Sequence, residues 1–416
     1  VTSIFHSRQR AILIGLWVLV IAAMPVWMSF DQPGWDAAIY HTAIRAIANG
    51  HDPYADAIAI QQTFHAEKAL HPNAAPPYSY VYSPMTLPIL RVMGFLPISL
   101  VGSLYWGLYF AAVLALIWVA MQPVEASERP YFIYLAPVAA FFPGFLANGI
   151  VLSGNVAYIL YALVLLAAIA GWRRRNWTWF YLAVLATSCV KAPLLSLVVI
   201  PVFSARRQWI AAGITTAAGI ALFAMQPLLW PTFFKHYLQA VELQFSYNRD
   251  FGCSPAGIFS GFLFDRGIAY SPASYVFYLC YALPLLGLLF YLSRLFLRGG
   301  FSLQRWIPVL LVGVILLNPR LIEYDLAPLT LFLTLIAWRF FAARFTLRKT
   351  VLYLSLFFVV LNIFALQSWE LWKLIDSPLL VLLFLAGSWE LHREARRISA
   401  QNRLQGALVQ ATNRLV

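Results

Sequence analysis

The stretch Trp177-Thr-Trp-Phe-Tyr-Leu-Ala-Val-Leu-Ala-Thr-Ser-Cys-Val-Lys191-Ala-Pro193-Leu-Leu-Ser-Leu-Val-Val-Ile-Pro201-Val-Phe203 is long enough for one membrane span, which needs about 20 apolar residues. Arg173, Arg174 and Arg175 precede it, and Arg206 and Arg207 follow it. As one span it would put the two arginine clusters on opposite faces and leave Lys191 at mid-bilayer, at a cost of at least about 2.5 kcal/mol. Pro193 and Pro201 interrupt it as well. A hairpin of two short helices, with Lys191 at an outer tip, removes that cost and returns both clusters to the cytoplasm. The sequence therefore predicts a hairpin over 177–203.

The rest of the chain fits that reading. Of its 416 residues 62% are hydrophobic and 11% charged, and its mean hydropathy is +0.74. Soluble domains carry about 25% charge, so most of the surface of this chain faces lipid. The apolar runs are continuous, whereas a transmembrane β-barrel shows short alternating segments. Ala11–Phe30, after Arg8 and Arg10, reads as a retained signal-anchor with a cytoplasmic N-terminus. Further apolar runs lie near 98–121, 131–147, 153–171, 208–228, 273–293, 304–318, 324–341, 350–366 and 377–391. The expected fold is all-α: a single polytopic integral membrane domain over 1–416 with about twelve membrane segments, two of them short. Residues 31–97 form a first outer loop bearing a surface helix, 229–272 a large outer loop, and 392–416 a cytoplasmic C-terminal tail. Cys189, Cys253 and Cys280 have no metal-ligand spacing, and a disulfide framework is not expected.

This topology puts 20 of the 29 Lys and Arg residues in the cytoplasm, as the positive-inside rule requires. The net charge of +13 then sets topology and meets anionic lipid, with no nucleic-acid partner. Of the 16 acidic residues only Glu125, Glu128, Glu390 and Glu394 fall inside. Asp and Glu contribute little to topology, so their outward bias suggests a polar site on the outer face.

The outer segments carry the candidate residues. From Asp36 to Asn49 the positions Ile39, Ala43, Ile44 and Ile47 recur at helical spacing, and Asn49-Gly50 supplies a stop. This predicts a surface helix with Asp36 at its start, as an N-cap or as a carboxylate facing substrate, and Tyr40 one turn on. Downstream come His51-Asp52-Pro-Tyr54 and a run of aromatics and prolines ending in Tyr82-Ser-Pro84. Such residues anchor chains at membrane interfaces, and they also suit a sugar, whose apolar face stacks on rings. Ser153, Gly154 and Asn155 fall in a short turn, where capping and ligand contact are both open. Lys191 either snorkels to headgroups or holds a phosphate. The large outer loop includes His236, Asn248, Arg249 and Asp250 without catalytic spacing. Arg320, Glu323, Tyr324 and Asp325 sit between two apolar runs, as an internally paired loop or a site.

Taken in order, these residues resemble glycosyltransferase family 87, of the multi-spanning GT-C class, which includes polyprenyl-phosphate-mannose-dependent α-mannosyltransferases. The family's Asp-to-Tyr spacing and Gly-x-Asp-Pro-Tyr appear as Asp36, Tyr40 and Gly50 to Tyr54. Its Tyr-Pro-Pro is replaced by Tyr82-Ser83-Pro84. Its Gly-Gln, Lys-x-Pro and Pro-x-x-x-x-Tyr-Asp appear as Gly154-Asn155, Lys191-Ala-Pro193 and Pro319 to Tyr324-Asp325. The large loop's Asn-x-Ser-like element matches poorly at Asn248-Arg249-Asp250. The resemblance covers 31–325; the last three spans carry no motif.

The resemblance implies a membrane glycosyltransferase of the cell envelope. It would move one sugar, mannose or another hexose or pentofuranose, from a polyprenyl-phosphate donor to a hydroxyl of a glycan, glycolipid or protein. The site would lie on the periplasmic face of the inner membrane. Asp36 would be the general base, and Lys191 and Arg320 the donor-phosphate ligands. Tyr40, Asp52, Tyr54, Tyr82, Asn155, Glu323, Tyr324 and Asp325 would contact sugar or acceptor. No cofactor or divalent metal is required. Two other activities share some of these features: an oligosaccharide ligase using a lipid diphosphate, and a lipid or sugar transporter or flippase. The transporter reading lacks an internal repeat.

Overall fold

The computed structural model describes residues 34–70, 79–131, 151–247, 252, 254–264, 266, 268, 272–367 and 369–413. At 177–203 the chain reverses. A helix over Thr178–Val190 ends at Lys191, whose backbone is extended at φ −131° and ψ 93°. A 3₁₀ stretch, Ala192–Val199, and a short helix, Ile200–Ser204, lead back. Pro193 removes the N–H that would continue the first helix. The Tyr181 hydroxyl, near the hairpin's start, donates to the Gln208 carbonyl at 3.3 Å and Oε1 at 3.2 Å, beyond its end. Both arginine clusters therefore sit at one end of the bundle, with Lys191 at the other. Cysteines placed at positions 174 and 207 should both react with an impermeant thiol reagent from the same side of sealed vesicles; labelling from opposite sides would refute the hairpin.

The described residues are built of helices, and their one β-bridge is an isolated pair, Gly252 with Leu321. Four helices are long and apolar enough to cross a membrane: Ile98–Met121, Ala157–Arg174, Trp209–Leu229 and Pro272–Leu297. Shorter apolar elements accompany them: Thr178–Val190, Ala192–Ser204, Leu303–Leu316 and Thr330–Ala342. Exposed side chains such as Leu104, Leu114, Ile210, Ile214 and Leu283 give these helices an apolar outer surface. The chain is an all-α, membrane-embedded protein. Ala11–Phe30 and nearly all of 131–147 lie outside the described residues.

Three expected boundaries differ. The last apolar run and the tail from 392 are one 45-residue helix, Trp369–Asn413. Strong helix formers fill the tail, and no proline follows Pro378 to stop it. The run 324–341 is split by Pro328 into Glu323–Leu326, a 3₁₀ turn and Thr330–Ala342. The segment 229–272, expected as a large outer loop, holds two helices, Pro231–Tyr247 and Pro255–Phe264, each opened by a proline at the position where its missing N–H costs nothing.

At the arginine end, charge is used for packing. Arg339 is buried; its Nε and Nη2 donate to the two carboxylate oxygens of Glu128 at 2.7 Å, and it also donates to the carbonyls of Pro123 and Gln304. Arg305 pairs with Glu125 at 2.7 Å, and Arg344 with Glu390 at 2.6 Å. Glu394 lies 3.8 Å from Arg305. All four acids expected at this end are thus partnered by arginines expected there.

The main core runs through the apolar helices. A second cluster, containing Tyr40, Ile44, Tyr54, Tyr80, Leu87 and Val101, lies under the helices at the Lys191 end. That cluster holds the site.

Candidate functional site

The surface helix, α1, spans Trp35–Ala48 and stops at Asn49 and Gly50, the latter at φ +76°. Its buried face is Asp36, Ala37, Tyr40, Ala43, Ile44 and Ala46. Of the four apolar positions that periodicity picks out, Ala43 and Ile44 are buried and Ile39 and Ile47 half-buried. The face is turned toward a carboxylate because α1 packs on protein, where Asp36 and Tyr40 find polar neighbours.

Asp36 is not the N-cap. That position is Gly34, at φ +80°, and no side chain caps the helix. The first N–H groups are taken by backbone: Gly34 donates to the Leu152 carbonyl at 2.7 Å, Asp36 to the Ser153 carbonyl at 3.0 Å and Ala37 to the same carbonyl at 3.3 Å. The carboxylate is therefore released from capping while it stays in the positive field of the helix start.

Asp36 is only 6% exposed, and its Oδ2 is buried without a hydrogen-bond partner among the described residues. Burial pushes its carboxyl up to about 6, against the opposing pull of Tyr324, Asn155 and Ser153 and of the Lys191 charge. Tyr324, Asn155 and Ser153 thus border the carboxyl, and Lys191 lies within range of its charge. A carboxyl of this kind changes protonation near neutrality and has an oxygen free to accept a proton.

Tyr40 and Tyr82 wall the site. Their hydroxyls lie 2.7 Å apart; the Val156 N–H donates to Tyr40 at 3.0 Å and Asn155 Nδ2 to Tyr82 at 3.4 Å. Burial holds both phenols well above their usual range. Asn155 Oδ1 accepts from the Ala157 N–H at 2.9 Å, and Ser153 Oγ accepts from the Asn155 N–H at 3.1 Å. Asn155 therefore ties its oxygen to the start of the next helix while its amide nitrogen reaches Tyr82.

Gly154 holds this turn at φ +70°, and a Cβ there would meet Trp106 at 2.9 Å and Ala37 at 3.0 Å. Strain and overpacking together predict that Gly154→Ala costs about 2–4 kcal/mol and lifts α1 away from the 151–155 turn. A melting curve of the purified protein checks this, with Gly107→Ala, which has open space around it, as the neutral control.

Lys191 neither snorkels nor stands alone. Its Nζ is 2.5 Å from Asp325 Oδ1, with the two side chains 14% and 3% exposed. Asp325 also accepts from the Tyr161 hydroxyl at 3.2 Å and, on Oδ2, from the Ile322 N–H at 3.3 Å. Asp325 of the 318–325 loop is thus paired to the hairpin tip. This pair fixes Tyr324 beside Asp36, and Trp35 Nε1 donates to the Tyr324 hydroxyl at 3.0 Å.

Asp52 and Tyr54 lie apart from this group. Asp52 Oδ1 accepts from the Tyr54 N–H at 2.8 Å, at the start of helix α2, Pro53–Leu70, and its Oδ2 is 2.6 Å from His236 Nδ1. Tyr54 is fully buried, and its hydroxyl donates to the Tyr82 carbonyl at 2.6 Å. Both join α2 to the helix over Pro231–Tyr247 and support Tyr82 from behind. Arg320 is close enough to Tyr237 on that helix for its charge to act on the phenol. The Glu323 side chain and residues 248–250 lie outside the described ones.

Sequence reasoning missed Trp35, Tyr105 and Tyr161. Tyr105 donates to the Gly154 carbonyl at 2.5 Å. Tyr105 and Tyr161 are aromatics in apolar runs, and Trp35 stands among turn residues, so nothing in composition or spacing separates them from packing or anchoring residues. His236 is visible only as a loop histidine, and its partner Asp52 is remote in sequence. No protein-family profile, curated protein or solved structure matches the chain.

Proposed function

We propose that the protein is a membrane glycosyltransferase that moves one sugar from a polyprenyl-phosphate donor to an acceptor hydroxyl on the outer face of the inner membrane, with inversion. The observation that carries this reading is Asp36: a buried carboxylate, freed from capping, with one oxygen unpartnered among the described residues and its ionisation moved to about 6. In the reaction Asp36 takes the proton of the acceptor hydroxyl as that oxygen attacks the anomeric carbon. The bond from this carbon to the phosphate oxygen breaks, and polyprenyl phosphate leaves with the electron pair. A phosphate leaves without a general acid, so one carboxylate suffices, unlike the two of a glycosidase. This reading assigns the phosphate to Lys191, by exchanging part of its contact with Asp325, and to Arg320. The ordered motifs from Asp36 to Asp325 point to the same chemistry. This scheme requires no metal.

The test is transfer by the purified protein in detergent, from polyprenyl-phosphate mannose and the corresponding arabinofuranose donor to extracted envelope glycans. Loss of donor with a new glycosidic bond of inverted configuration supports the reading. An active preparation that moves lipid across vesicles but never consumes donor would overturn it in favour of transport.

A further inference from the structure

Helices α1 and α2 enclose a half-open groove of about 250 Å³ that runs along the flank of α1 beside its buried face. It runs from Trp35 along Ile39 and Thr42 on one wall, with Asp56 and Ile60 on the other and Ser79 at its base. Between them the floor is made of small side chains, so it is flat and apolar. Among the described residues the polar groups on the lining are hydroxyls, the Trp35 N–H and one carboxylate, and no described lysine or arginine lines it. That charge pattern disfavours a phosphate and suits a neutral, hydroxyl-rich ligand, whose ring faces pack on apolar carbon and whose hydroxyls need acceptors. Thr42 and Asp56 are exposed, and Asp56 is not drawn into an ion pair with a described residue.

Trp35 links the groove to the catalytic group. Its ring lines one end, its Nε1 holds Tyr324, and Tyr324 borders Asp36. From Trp35 to Ala46 the groove follows α1 for about 16 Å, more than one sugar ring requires. We infer that this groove binds a neutral glycan segment of the acceptor, behind the sugar that carries the reacting hydroxyl. Donor and acceptor then occupy chemically distinct halves of one site: cations for the phosphate, and an apolar floor with acceptors for the glycan. This inference rests on the transferase reading for its role but not for its binding chemistry.

The experiment uses the full chain in nanodiscs and a neutral mannose disaccharide with a short alkyl group as probe. Saturation-transfer NMR should show the disaccharide binding to the parent protein, and Thr42→Trp, which fills the groove from an exposed position, should abolish that signal with an unchanged melting temperature. Asp56→Asn should weaken binding about tenfold, the loss of one charged acceptor. In the transfer assay both variants should raise acceptor KM and leave donor KM unchanged. No binding to the parent at millimolar probe, or binding that survives Thr42→Trp, overturns the groove. Binding that is lost in Thr42→Trp by a parent that consumes no donor keeps the groove and overturns the transferase reading instead.

Discussion

Asp36→Asn is expected to lower turnover by about 10²–10⁴-fold, the usual loss when a general base is removed. It should do so without lowering the melting temperature. Asn has the same shape, and the helix start does not depend on the side chain, because Leu152 and Ser153 supply the capping carbonyls. The stability effect should run the other way. The folded-state ionisation near 6 lies above the ordinary 3.8, so between these values the native state holds a proton that the unfolded chain has lost. Ionised Asp36 therefore costs the fold about 3 kcal/mol above pH 6, and the cost is relieved as pH falls from 6 toward 4. Asp36→Asn should remove that pH dependence and make the protein more stable than the parent at pH 8. Turnover by the parent should rise with pH through about 6 and then level off, as the base form fills. Purified Asp36→Asn that turns over donor within a few-fold of the parent would end the assignment. A melting temperature below the parent's at pH 8 would show that the carboxylate is structural.

Lys191→Met is expected to damage both stability and donor use, and a second substitution separates the two. Removing the lysine strands Asp325 at 3% side-chain exposure, and an uncompensated buried charge costs about 3–5 kcal/mol. The double variant Lys191→Met with Asp325→Asn has no stranded charge and should recover most of the melting temperature. It should not recover donor use: with one phosphate ligand gone, donor KM should stay raised by about 10–100-fold over that of Asp325→Asn alone. Recovery of both quantities in the double variant would make the pair a structural latch between the hairpin tip and the 318–325 loop. Nothing in the sequence around Lys191 points to Asp325, which lies 134 residues away.

Several features were legible in the sequence because they depend on local chemistry or on the balance between water and lipid. Composition alone requires a membrane protein, since so few charged residues cannot coat a soluble chain of this length. The hairpin is written in Pro193 and in the cost of placing Lys191 in lipid. The extent of α1 follows from its periodicity and from Asn49-Gly50. The four acids at the arginine end were placed by the positive-inside pattern, although that pattern does not say that Arg339 is buried on Glu128. The order of Asp36, Asn155, Lys191 and Tyr324-Asp325 along the chain could also be read, but not their convergence.

What required the tertiary structure is the pairing. Periodicity gives one helical face as apolar, but whether a carboxylate lies on it depends on what the helix packs against, and α1 packs on a polar turn. Capping of Asp36 looked plausible because local rules assign the first N–H groups to a nearby side chain; here carbonyls from residues 152 and 153 reach them first. Lys191 looked isolated because its neighbours in sequence are apolar, and its partner comes from another helix pair. Asp52 and His236 are 184 residues apart, and only the fold brings them together. In each case the sequence determined which groups must be satisfied away from water, and only the close approach of distant segments decided by what.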